Sequence, residues 1–212
     1  MVNKMNDGYE EVLSLIGSSA PTPGGGSVAA LTLSHAHSLA MMVSRLTEGK
    51  PKWSNGHEAA HKVIKSSSLG VKTALELAHE DAEAFELVMT SFKLPKGNQD
   101  EISIRNDAIE SSTINAARVP LEIMRESCKF IKSIEELSMT GNSNALTDLL
   151  ASSKLADLAT NIASLNVKIN LDSLQHNMIV NKFTLEMDEL LLISNQKSTI
   201  IEENILERLK WN

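Results

Sequence analysis

Aromatic side chains are scarce in this chain: one Tyr, two Trp and four Phe make up only 3% of 212 residues. So few rings exclude a base-stacking platform, and they disfavour sheet, where aromatic and β-branched residues concentrate. Cysteine is almost absent too. The single Cys128 rules out an intramolecular disulfide and suits a reducing compartment. No apolar run reaches the roughly 20 residues that a membrane span requires. The opening residues, with Asn3, Lys4, Asn6 and Asp7 close together, contain no secretory hydrophobic stretch, so a cytoplasmic location is the expectation. Basic residues are outnumbered, 20 Lys plus Arg against 27 Asp plus Glu, and the formal charge of -7 speaks against a general electrostatic grip on nucleic acid.

What is present is an apolar fraction of 42% that must come mainly from Ala, Leu, Ile, Val and Met. Such residues suit closely packed helices. The punctuation agrees: nine of the ten glycines lie in residues 1 to 97, and no proline follows Pro120. A first helix is expected from Met5 to Ile16, ending at Gly17, and a second from Val28 to Leu46. The second is lined with Ala29, Ala30, Ser34, Ala36, Ser38 and Ala40, and it carries almost no charge before Arg45. That profile marks a central helix whose neighbours approach closely. From Glu58 to Phe92 the positions Val63, Ile64, Val71, Leu75, Ala78, Ala82, Phe85, Val88 and Met89 recur at helical spacing. Further helices are expected over Asp100 to Lys132, Ser133 to Met139, Leu146 to Asn170, Leu174 to Ile193 and Gln196 to Leu209, with Pro120 bending the fourth or, alternatively, breaking it. With no long linker and no fixed-period repeat, the expectation is one all-α domain over 1–212, a multi-helical bundle of six to eight helices with long amphipathic members.

The segment Ala20-Pro21-Thr22-Pro23-Gly24-Gly25-Gly26-Ser27-Val28-Ala29-Ala30 stands out. Consecutive glycines ahead of a helix expose several N–H groups beside the positive helix end, an arrangement suited to an anion; a tight turn or close backbone packing is the alternative use. Ser27 reads as an N-cap or first-turn residue. The terminal Lys-Ser/Thr of a P-loop is missing, and the spacing is not a dinucleotide fingerprint.

This segment resembles the opening motif of the cyclodeaminase/cyclohydrolase family, which comprises the C-terminal domain of formiminotransferase-cyclodeaminase and free-standing methenyltetrahydrofolate cyclohydrolases. The likeness continues through Leu46-Thr47, Gly49-Lys50, Asp81, Ala84-Phe85, Leu94-Pro95-Lys96, Arg105, Ala116-Ala117, Pro120, Gly141-Asn142, Thr147-Asp148 and the stretch Leu165 to Leu171. Trp53, where Tyr is common, and the polar Leu33-Ser34-His35-Ala36-His37 depart from it. The resemblance implies an all-helical homodimer that takes a tetrahydrofolate derivative as substrate and needs no metal. It either closes 5-formiminotetrahydrofolate to the 5,10-methenyl form with loss of ammonia, or opens the methenyl form with water.

Both reactions pass through a tetrahedral carbon between two nitrogens, so a site must manage protons and cationic charge. By resemblance Asp148 is the first candidate for orienting water or the amine, with an ordinary N-cap or surface Asp as the alternative. Asp81 is a second catalytic candidate, a carboxylate able to accept paired pterin N–H donors, or else a structural residue of its helix. Lys96, in the break between two long helices, could assist proton transfer or hold the folate glutamate tail, or be a solvated loop lysine. Arg105 offers a bidentate carboxylate clamp or a surface ion pair. Gly24, Gly25, Gly26 and Ser27 are assigned to substrate binding, as are Asn142, Asn166 and Asn170. Asn166 and Asn170, four apart, share a helix face and could read the pterin edge or cap neighbouring helix ends. His57-Glu58-Ala59-Ala60-His61 formally matches a zinc-hydrolase pattern without a distinctive third ligand, and is a remote alternative. A non-catalytic folate-binding or helical assembly protein of the same fold is the nearer one.

Overall fold

The computed structural model describes residues 8–175 and 178–211. Six α-helices are found among them: α1 (Tyr9–Ile16), α2 (Gly25–Glu48), α3 (His57–Phe92), α4 (Gln99–Thr140), α5 (Leu146–Asp172) and α6 (Met178–Leu209), with short 3-10 turns at Pro51–Gly56 and Ser143–Ala145. No strand occurs among the described residues. The expected start of the first helix at Met5, and part of the connection after Leu174, lie outside them.

Short connections make α2, α3, α4 and α5 run alternately up and down. Contacts join α2 to α3, α3 to α4, α4 to α5 and α5 back to α2, a closed ring of four, while α6 lies along α4 and α5. The small-residue stripes explain the closeness of α2 and α5. Ala29, Ala36 and Ala40 of α2 and Ala156, Ala159 and Ala163 of α5 are fully buried, and the Ser152 hydroxyl donates across the interface to the Ala36 carbonyl at 2.7 Å. One hydrophobic cluster gathers Leu33, Val43, Ile131, Ile134, Leu149, Ile201 and Ile205 toward the C-terminal end of α2. A second, with Ala30, Leu77, Ala117, Leu121, Met124 and Val167, lies toward its N-terminal end.

Two expected boundaries are absent. Asp100 to Lys132 and Ser133 to Met139 are parts of one helix of 42 residues, and the last two helices form one of 32. Polar residues near those expected boundaries are used within or between helices: Ser133 and Ser138 donate back to Phe130 and Glu135 carbonyls, and Ser194 donates to Asp157 of α5 at 2.7 Å. Helix α2 begins at Gly25 rather than Val28, with extended Gly24 as its N-cap, so two of the three consecutive glycines belong to its first turn. Helix α4 continues across Pro120.

Candidate active site

Antiparallel packing brings the N-terminus of α2 beside the C-terminal half of α3 and the C-terminal end of α5. There Pro21, Thr22, Gly24, Gly25, Gly26, Asp81, Phe85, Ala116, Asn166 and Asn170 line a cavity of about 170 Å³. The Thr22–Pro23 peptide leading into it is cis. A second cavity of about 450 Å³, bounded by Phe92, Asn106, Glu110 and Thr113 among others, shares Asn170 as a wall. The two together have the size of an organic ligand site; the first alone does not.

The exposed helix end expected to receive an anion already faces one from its own chain. The Ser27 hydroxyl donates to Asp81 Oδ2 at 3.0 Å, and the Ser27 N–H also reaches that carboxylate. Asp81 therefore serves α2 as a cap supplied from α3. Gly26 makes room for it: a Cβ there would lie 2.6 Å from Asp81 Cγ and overlap Oδ1. Burial pushes the Asp81 carboxyl above its ordinary value, and the Ser27 hydroxyl and N–H pull it partly back. No charged group of α2, α4 or α5 lines this cavity, so it is Asp81 that sets its charge.

Of the two asparagines of the cavity wall, Asn170 has committed both amide hydrogens and Asn166 one of its two. Asn166 Nδ2 donates to the Ile162 carbonyl at 3.0 Å. Asn170 Nδ2 donates to Asn166 O at 2.8 Å and to Ala116 O at 3.0 Å. The two oxygens and the second Asn166 amide hydrogen are then left for a ligand. The cavity thus offers a carboxylate, two amide oxygens and one amide N–H, a surface mainly of acceptors that fits a cation or an edge rich in N–H donors.

The remaining candidates lie elsewhere. Asp148 is half-buried in the first turn of α5, 18 residues from Asn166 and so about 27 Å along the helix axis at 1.5 Å per residue. Asn142 is at that same far end and is fully engaged: Nδ2 donates to Leu46 O, its backbone N–H to Thr47 Oγ1, and Oδ1 accepts from Asn144 N–H. It ties the α4–α5 connection to the end of α2. Arg208 donates to the Ser138 and Gly141 carbonyls beside it. Lys96 is exposed in the α3–α4 connection. Arg105 holds the end of α3, donating to Phe92 O at 3.3 Å with its guanidinium 5.5 Å from the Phe92 ring, and Phe92 in turn walls the second cavity. His57 and His61 open α3, one against the Lys50 carbonyl and the other against Glu48. Among the described residues no group of three or more His, Cys, Asp or Glu is placed to hold a metal.

Sequence reasoning missed the pairing of Ser27 with Asp81 and that of Asn170 with Ala116. Each spans 54 residues, beyond any local spacing rule.

The sequence profile of the formiminotransferase-cyclodeaminase family matches residues 8–189. A methenyltetrahydrofolate cyclohydrolase of Methylorubrum extorquens is 30% identical over 205 residues, 97% of each chain. A formimidoyltransferase-cyclodeaminase of Rattus norvegicus is 26% identical over 186 residues, 88% of this chain but 34% of the rat protein, so the chain spans about a third of that relative's length. The crystal structure of a formiminotetrahydrofolate cyclodeaminase from Thermotoga maritima superposes with a TM-score of 0.84 at 24% identity, covering 96% of this chain and 97% of that one, and shares the fold.

Proposed function

The chain belongs to the formiminotransferase-cyclodeaminase family, and from that membership we propose that it is an enzyme acting on the one-carbon bridge between N5 and N10 of tetrahydrofolate, with Asp81 as its proton carrier. The observation that carries the site assignment is the acceptor-lined cavity at the head of α2. In the hydrolytic direction the 5,10-methenyl bridge is an amidinium cation, which the Asp81 carboxylate complements in charge. Asp81 takes a proton from water as the oxygen adds to the bridge carbon. It returns that proton to N5 as the N5–carbon bond breaks, giving the 10-formyl product and releasing one proton overall. In the cyclodeaminase direction the same carboxylate takes the N10 proton as N10 attacks a protonated formimino carbon, and delivers it to the departing ammonia. A proton affinity raised by burial suits Asp81 to both halves of this transfer. Asn166 and Asn170 accept from the pterin N–H groups, and the larger neighbouring cavity, closed by Phe92 with Arg105 behind it, takes the remainder of the folate and directs its glutamate carboxylates toward Arg105 and Lys96.

The homodimer implied by the family likeness is supported by an apolar stripe on the outer face of α5, where Leu158, Leu165 and Ile169 are 49%, 67% and 66% exposed. Leu155, on the same stripe, shares a groove with Leu39 and Met42 of α2. Two copies joined antiparallel over this face would carry Asp148 of one toward the Asp81 end of the other. That arrangement is the way in which Asp148 meets the substrate, since one chain holds the two carboxylates a helix length apart. The net charge of -7 and the lone, buried Cys128 accord with a small-molecule enzyme of the cytoplasm that does not bind nucleic acid.

The test is to mix the protein with 5,10-methenyltetrahydrofolate and, separately, with the 5-formimino form, and to follow the methenyl absorbance. Decay in the first or growth in the second, faster than without enzyme, is expected. No change in either refutes the proposal. Folate binding without turnover would make the chain a binding protein of this fold, and neither binding nor turnover an assembly protein.

A further inference from the structure

Proline inside a helix removes one N–H and leaves the carbonyl four residues earlier without its partner. In α4 that proline is Pro120 and the carbonyl is Ala116 O. Pro120 and Ala116 are both buried residues, so the carbonyl calls for a replacement partner. The partner is instead Asn170 Nδ2 of α5, which donates to Ala116 O at 3.0 Å. Its other hydrogen goes to Asn166 O at 2.8 Å. An amide between two carbonyls has only one satisfactory orientation, because turning it over would set Oδ1 against both of them. Ala116 and Asn170 are also both walls of the candidate active site, whereas Pro120 does not line it.

We propose that Pro120 is a positioning residue of this active site: by withholding its N–H it releases the Ala116 carbonyl to Asn170, which fixes Asn170 with its oxygen as the acceptor offered to the substrate. A helix-interior proline otherwise costs helix stability, and its expense is met by a bond that orients a cavity side chain. The inference rests on the folate reading for the identity of the bound donor, and on this chain's own hydrogen bonds for the pairing.

The pairing gives a signature that a merely structural proline would not. In Pro120→Ala the new N–H shares and weakens the Ala116 O contact, so the helix gains a bond while Asn170 is held firmly only by Asn166 O. Four proteins form the cycle: wild type, Pro120→Ala, Asn170→Ala and the double variant, read by thermal melting and by KM and kcat with methenyltetrahydrofolate. Asn170→Ala is expected to lower Tm by about 5 °C where Pro120 is present, since a buried carbonyl is orphaned, and to have little effect in the Pro120→Ala background. KM should rise about tenfold in Pro120→Ala, in Asn170→Ala and in the double variant alike, with kcat changed much less. Pro120→Ser, which also restores the N–H, serves as an independent second variant and should follow Pro120→Ala.

Additive Tm changes, or an unchanged KM in both Pro120→Ala and Pro120→Ser, would overturn the proposal. Wild-type protein that turns over neither folate would instead refute the functional reading, and with it the role of Asn170 toward a folate, while the Tm coupling would still decide the Pro120–Asn170 pairing.

Discussion

Gly26→Ala separates the requirements of the helix from those of the site. In the first turn of a helix, alanine in place of glycine should stabilise by up to about 1 kcal/mol, through lower entropy of the unfolded chain. At Gly26 the added Cβ would sit 2.6 Å from Asp81 Cγ, inside any real contact distance, and the carboxylate must leave. Its departure breaks the hydrogen bond from Ser27 to a charged acceptor, which contributes roughly 1.5–3 kcal/mol. With the full helix gain set against it, the balance is a loss of about 0.5–2 kcal/mol, or roughly 1–8 °C in Tm for a chain of this length. Catalysis should suffer far more, because moving a proton carrier forfeits about 10²–10⁴-fold in kcat/KM. Gly25→Ala is the control. Its Cβ would lie 3.3 Å from Asn166 Nδ2 and 4.0 Å from Ile162 Cγ2, which a shift of a few tenths of an ångström relieves. The assay is methenyl turnover alongside melting curves for both variants. A Gly26→Ala protein within threefold of wild-type kcat/KM would refute the placement of Asp81 at the reacting carbon.

Ser27→Ala removes a donor that favours the charged Asp81 carboxylate, so the acidic limb of the kcat profile should move to higher pH, with Ser27→Thr restoring it; an unmoved limb would separate Asp81 from proton transfer. His37 is buried with its ring 4.3 Å from Phe130 and Nδ1 3.1 Å from Ser67 Oγ, and burial, then Lys129, lowers its pKa from 6.5 to about 4. The unfolded chain therefore binds a proton below about pH 6.5 that the fold refuses. This stabilising contribution is present at neutral pH and is lost as the pH falls, by about 2 kcal/mol between pH 7.5 and 5. Urea titrations of wild type and His37→Gln should diverge by that amount over the same window. If Asp81 of one copy and Asp148 of the other share a site, randomly mixed Asp81→Asn and Asp148→Asn subunits should regain about a quarter of wild-type activity, because half the dimers would each hold one intact site. Mixed subunits as inactive as either parent would place Asp148 outside the site.

The helices were legible because their determinants are local. Val63, Ile64, Val71 and Leu75 repeat at helical spacing within one segment, and α3 forms over it. The alanine stripe of α2 announced close packing, and α5 supplies a matching one. Boundaries were less legible where a serine or asparagine had a partner in another helix, as Ser194 has in Asp157. The order of family motifs pointed to a folate enzyme, but it grouped Asp148 and Asn142 with Asp81 and the glycines although the bundle sets them at opposite ends.

Composition and periodicity sufficed for an aromatic-poor, all-helical chain with glycines concentrated in its first half and a single proline deep in α4. Periodicity, small side chains and missing N–H groups act over one or two turns, and so can be read along the chain. What those features serve depends on contacts between helices far apart along the chain. Asp81 caps a helix that begins more than 50 residues earlier, and Asn170 completes a carbonyl that Pro120 left open. Buried polar groups must be satisfied by whatever packing brings near, and in this bundle the groups that satisfy them also form the wall of the site.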